Sequence, residues 1–124
     1  MKNRRYLAHV CCIGSSVFSR YVAEVTPCSV LDAFFPFAGE ISHTVFYDGI
    51  LLFTAPGFPP DAFLCRLRED MSRYPDLTFP ELLMKNPVYM ENPAVRGKEC
   101  RVRLLAPIDW EAYRPEIKSV LTVV

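Results

Sequence analysis

Between Ile41 and Pro56 the chain is apolar at both odd and even positions, and from His43 to Pro56 its one charge is Asp48. Asp48-Gly49 is the dipeptide of a two-residue type I′ turn, because both residues tolerate positive φ. The pattern therefore predicts a hairpin of strands 41–48 and 50–56. In that register Tyr47 faces Ile50, Phe46 faces Leu51, Val45 faces Leu52, Thr44 faces Phe53 and His43 faces Thr54. One face carries Phe46, Leu51, Phe53 and Ala55; the other carries Ile41, Val45, Tyr47, Ile50 and Leu52. A surface hairpin alternates apolar with charged, so this one needs cover on both sides, from helices or from a second molecule.

Elsewhere the periodicity changes. Residues 5–13 read as a strand ended by Gly14. Val17, Phe18, Tyr21, Val22 and Val25 fall at helical spacing behind the N-cap candidates Ser15 and Ser16, which predicts a helix over 16–25. Thr26-Pro27 ends it, and Ser29 caps a short turn through Phe35 before Pro36. The clearest helix is 61–74, with Phe63, Leu67, Met71 and Tyr74 in one stripe and Arg66/Asp70 and Glu69/Arg73 as i, i+4 pairs on the wet side. Thr78-Phe79-Pro80-Glu81 is a capping box that opens a helix over 78–85. Residues 88–98 read as a loop. Cys100, Val102, Leu104 and Ala106 alternate with Arg101 and Arg103 in a strand over 99–106, Asp109 caps one turn holding Trp110 and Tyr113, and the tail 116–124 reads as a strand.

Composition sharpens this picture. At 124 residues, with 51% hydrophobic and 13% aromatic residues, the chain holds more apolar surface than a small globule hides easily, which predicts a self-associating face. Fourteen basic residues balance fourteen acidic ones, so no global field gathers nucleic acid or an anionic membrane. Five cysteines, an odd number with Cys11 and Cys12 adjacent, suit reduced thiols in a cytosol better than a disulfide framework. The basic opening and the apolar run to Phe18 imitate a signal peptide, but His9 interrupts the run and no small-x-small cleavage site follows. No apolar run is long enough to span a bilayer.

Three constellations are candidates for chemistry. His9-Val10-Cys11-Cys12-Ile13-Gly14-Ser15-Ser16 ends a strand and opens the predicted helix. Gly14, Ser15 and Ser16 there form a candidate anion loop, with Cys11 or Cys12 as nucleophile beside His9. Over Cys11–Ser16 it loosely resembles the cysteine phosphate loops of phosphotransferase IIB components, although Phe18 stands where a tyrosine-phosphatase loop requires arginine. The alternative is two small buried hydrophobes, a turn glycine and a serine cap. His9, Cys11, Cys28, His43, Cys65 and Cys100 contain ligand types but no metal-binding spacing, so no metal is assigned. Arg96, Lys98, Arg101 and Arg103 form a basic group suited to phosphates, or simply a solvated sheet face. The acids show no paired spacing for general acid–base work.

These readings converge on an α+β, single two-layer domain over 1–124, with a mixed four- or five-stranded sheet and about three helices mainly on one face. The leading expectation is a non-enzymatic cytoplasmic adaptor without cofactor or membrane attachment, partnered by itself or another protein. Homodimerisation would use an apolar sheet face containing Phe46, Tyr47, Leu52, Phe53, Phe35 and Phe37. The alternatives are a thiol enzyme or anion-binding protein at Cys11–Ser16, or nucleic-acid binding through Arg96–Arg103.

Overall fold

A computed structural model describes residues 2–39 and 43–124 and shows an α+β chain with a mixed sheet. Its strands are β1 (Arg4–Ile13), β2 (Ser16–Ser19), β3 (Tyr21–Val25), β4 (Leu31–Pro36), β5 (Thr44–Thr54), β6 (Arg101–Asp109) and β7 (Arg114–Val123). Its helices are α1 (Pro60–Arg73), α2 (Phe79–Met84) and α3 (Pro87–Met90). The strand order is β4-β3-β1-β5-β6-β7, with β2 beside β1, so seven strands replace the expected four or five.

The expected hairpin does not form. β5 runs straight through Asp48-Gly49 and pairs parallel with β1 and antiparallel with β6. The expected start of its first strand, residues 41–42, lies outside the described residues. Both faces of β5 are apolar because it is an interior strand, with Ile50, Leu51, Leu52, Phe53 and Thr54 all fully buried. Gly49 stands at φ 156°, and a Cβ there would lie 2.6 Å from the Leu105 carbonyl oxygen and 2.8 Å from Leu104 Cδ1. Close passage of β6, rather than a turn, demands this glycine. His9 stands opposite Asp48-Gly49, where the β1–β5 pairing shifts register as a bulge.

The two-residue hairpin turn lies instead at Gly14-Ser15. Ile13 pairs with Ser16 and Val10 with Ser19, and the same register continues from Leu7↔Val22 to Arg4↔Val25. Residues 16–25 are thus a β-ribbon and not a helix. Its apolar spacing fits both periods, and pairing with β1 decides between them. Arg20, at φ 55°, divides the ribbon opposite His9 and donates its N–H to the His9 carbonyl (3.1 Å). Residues 31–36, read as a turn, form β4 against β3.

The local caps and the tail match the reading. The Glu81 carboxylate accepts from the Thr78 N–H (3.2 Å) and hydroxyl (2.9 Å) at the start of α2. Asp109 caps the Trp110 turn by accepting from the Glu111 and Ala112 N–H groups. The tail is a strand, β7. Arg66 and Asp70 pair at 3.1 Å, but Asp70 is buried rather than wet. Residues 87–90, expected as loop, make a short helix capped by Asn86.

Two cores meet at the sheet. One face packs Val10, Cys12, Ile50, Leu52 and Leu105 under Phe63, Leu67, Phe79, Leu82 and Tyr89 of the helices. The other packs Tyr6, Ala8, Cys11, Ile13, Ala23, Val25, Leu31, Leu51, Phe53 and Val102 against one another. Strands from both ends of the sheet share that cluster because the sheet bends back on itself. The start of β4 bonds to the run that leads into β6: Gly97 N–H donates to Leu31 O (2.7 Å) and Cys100 N–H to Ser29 O (2.8 Å).

Replacing Gly49 with valine is expected to cost about 2–3 kcal/mol, because the β6 backbone cannot retreat. Urea unfolding of Gly49→Val beside the wild type measures this.

Candidate functional site

The helices roof only part of their face. They cover Val10–Ile13 of β1 and Ile50–Leu52 of β5, whereas the earlier halves of both strands run past them. Register places side chains on that open part in rows across four strands. Phe35 pairs with Val22, Val22 with Leu7, and Leu7 with Phe46. This central row is wholly apolar: Val22 is buried, Leu7 and Phe35 are half-buried, and Phe46 is 52% exposed.

Polar rows flank it. On one side Arg5 pairs with Glu24 at 2.9 Å. On the other, Arg20 lies over the Phe37 ring at 5.8 Å, and His9 Nε2 lies 3.6 Å from Asp48 Oδ1. His9 is clamped edge-on between Phe46 (5.1 Å) and Trp110 (4.9 Å, 39% exposed), and Trp110 in turn meets Tyr113. An apolar centre with aromatic anchors and a charged rim is the composition of a protein-binding surface.

The expected interface residues separate into three groups. Phe35, Phe37 and Phe46 fall on or beside the open face. Tyr47 faces the opposite way, stacked on Tyr6. Leu52 and Phe53 are fully buried within the chain, one in each core, and so leave the surface set. Leu7 and Trp110 join it, with the buried Val22 between Leu7 and Phe35 in the row. Leu7 and Val22 become legible only once residues 16–25 are a strand, and Trp110 only once its turn is placed beside β5.

The Cys11–Ser16 candidate loses its geometry. Gly14, Ser15 and Ser16 belong to a strand-to-strand turn, so no helix start aims free amides at an anion, and the Gly14 carbonyl accepts from the Tyr89 hydroxyl (2.7 Å). Cys11 and Cys12 are fully buried. Burial raises the Cys11 thiol from 9.0 to about 11, and burial together with Cys11 pushes Cys12 higher still. These thiols are packing groups, and His9 lies at the surface with Asp48 instead.

The basic group is equally committed. Arg103 is 7% exposed, lies over the Phe58 ring at 5.1 Å and donates to the Thr54 hydroxyl (3.3 Å). Arg101 pairs with Glu99 (2.9 Å), and Arg96 donates to the Asp32 carbonyl (2.8 Å), which leaves only Lys98 of the four without such an engagement among the described residues. The described residues contain no cluster of three or more His, Cys, Asp or Glu side chains, and no helix is long and apolar enough to cross a membrane. No family model, curated protein or solved structure matches this chain.

Because folding raises the Cys11 pKa, its contribution to stability is full below pH 9 and lost as pH rises towards about 11. The unfolding free energy from urea titration is expected to fall across that window by on the order of 2 kcal/mol, and less steeply in Cys11→Ala. Alkylation followed by mass spectrometry checks the burial directly. Cys28 and Cys65, which are exposed, should react in the native protein, and Cys11, Cys12 and Cys100 only after unfolding.

Proposed function

We propose that this protein is a non-enzymatic interaction module that dimerises through the open face of β4, β3, β1 and β5. The observation that carries the reading is the Phe35–Val22–Leu7–Phe46 row, apolar across four strands, in which Val22 is buried, Leu7 and Phe35 are half-buried and Phe46 is exposed.

The rim favours a second copy as the occupant. Consider a two-fold axis parallel to the strands, between β3 and β1. It lays Phe46 against the partner's Phe35 and sets β1, with its half-buried Leu7, over the partner's β3. The same rotation lays Arg5 against the partner's Glu24, so the charges of that flank are self-complementary, as a two-fold interface requires. Aligned packing of two sheets is an ordinary geometry for such a contact. Cys11, Cys12 and Cys100 are buried free thiols, which suits a reducing, cytoplasmic setting.

Size-exclusion chromatography with light scattering tests the proposal. The wild type is expected to run as a dimer. Phe46→Glu should make it a folded monomer, because two lost aromatic anchors are worth about 3 kcal/mol per dimer, or about a hundredfold in Kd. Arg101→Glu, away from this face, should leave the dimer intact. A wild-type monomer at high concentration would refute the reading.

A further inference from the structure

We propose that the pocket at the start of β1 and β5 binds a phosphate-bearing anion. It lies on the opposite face of these strands from the dimer surface and does not depend on that reading. The parallel pairing of Arg5 with Thr44 and Tyr6 with Val45 sets the beginnings of the two strands side by side. A cavity of about 480 Å³ results, lined by Lys2, Arg4, Arg5, Tyr6, His43 and Tyr47 among others, a volume suited to a small ligand.

Its charge is one-sided. Lys2 Nζ donates to His43 Nε2 at 3.2 Å, and Arg4 has no ion pair among the described residues. No Asp or Glu among the described residues lines the cavity. Two carboxylates reach lining residues from outside the cavity: Asp32 accepts from the Asn3 amide (3.0 Å), and Glu24 pairs with Arg5, which leaves Lys2 and Arg4 in excess. With no carboxylate among the described residues lining the cavity, a multiply charged anion placed between Lys2 and Arg4 is attracted by both.

The cavity floor is aromatic. Tyr47 stacks on Tyr6 with ring centroids 5.8 Å apart and planes 23° from parallel. Burial and the neighbouring Tyr6 raise the Tyr47 phenol while Arg4 opposes the rise, so Tyr47 stays a protonated hydroxyl donor within the field of Arg4. Cations and phenol hydroxyls together suit phosphate oxygens, and the half-buried Tyr47 ring offers a surface on which a base can stack.

Calorimetric titration of the full chain with inorganic pyrophosphate, and separately with ADP, tests the site. Pyrophosphate is expected to bind, more weakly as NaCl rises from about 50 to about 200 mM. Lys2→Glu with Arg4→Glu should weaken it by at least about tenfold, and Arg101→Glu should not. Thermal unfolding confirms that each variant is folded. ADP binding tighter than pyrophosphate, with the difference removed by Tyr47→Ala, identifies a nucleotide as the source of the phosphates. Equal affinities identify a free polyphosphate. Absence of binding at millimolar ligand overturns the proposal, as does binding that survives the double charge reversal or is lost equally in Arg101→Glu. Phe46→Glu should leave this affinity unchanged, so failure of the dimer and failure of the pocket are read separately.

Discussion

Burial of the second half of β5 organises everything else in this chain. From Ile50 to Thr54 every residue is fully enclosed, and the strand has a hydrogen-bonded neighbour on each side, β1 in parallel and β6 in antiparallel register. Its backbone groups are satisfied by those neighbours, so its side chains are free to be apolar on both faces. Each face then requires its own roof. The helices supply one, and the bent sheet supplies the other by closing on itself through the Ser29–Leu31 and Gly97–Cys100 bonds. Gly49 belongs to the same constraint, since it lets β6 approach closely just where the buried half begins.

A strand longer than its helical roof leaves a remainder, and that remainder is where function is sought. Thr44 to Asp48 continue the sheet beyond the helices, beside Arg5 to His9 and the β3–β4 ribbon. On one face this exposes the Phe46 row with Trp110 and the clamped His9. On the other, it leaves the cation-lined cavity floored by Tyr6 and Tyr47. The two surfaces share strands, and Arg5 borders both of them. Each pairs an aromatic element with charge, the first as anchors within a balanced rim and the second as a floor beneath unbalanced cations.

How much was legible depended on whether a signal was local. The α2 capping box and the Asp109 cap are contacts within a few residues, and both appear where the residues place them. The amphipathic stripe of α1 is likewise a local periodicity, although the ion pair read as wet has its acid, Asp70, inside. Turn chemistry misled because two dipeptides competed. Asp48-Gly49 carries the stronger turn preference, yet the chain turns at Gly14-Ser15, whose serines also look like helix caps. Residues 16–25 suffer from the same ambiguity, since five apolar positions in ten satisfy a helix or a paired ribbon. A helix over 16–25 would part Val22 from Leu7 and leave the open face without a centre.

The amino-acid sequence by itself determined that this chain holds more apolar surface around residues 45–53 than one layer of helices covers, and it determined which short segments are capped helices. Those properties follow from composition, period and contacts a few residues long. Strand order, the parallel placement of β1 beside β5, and the division of the aromatics between core and surface were decided only by tertiary structure. Pairing partners lie tens of residues apart in the chain, and the gain from burying a strand on both sides exceeds the modest preference of an Asp-Gly pair for a turn.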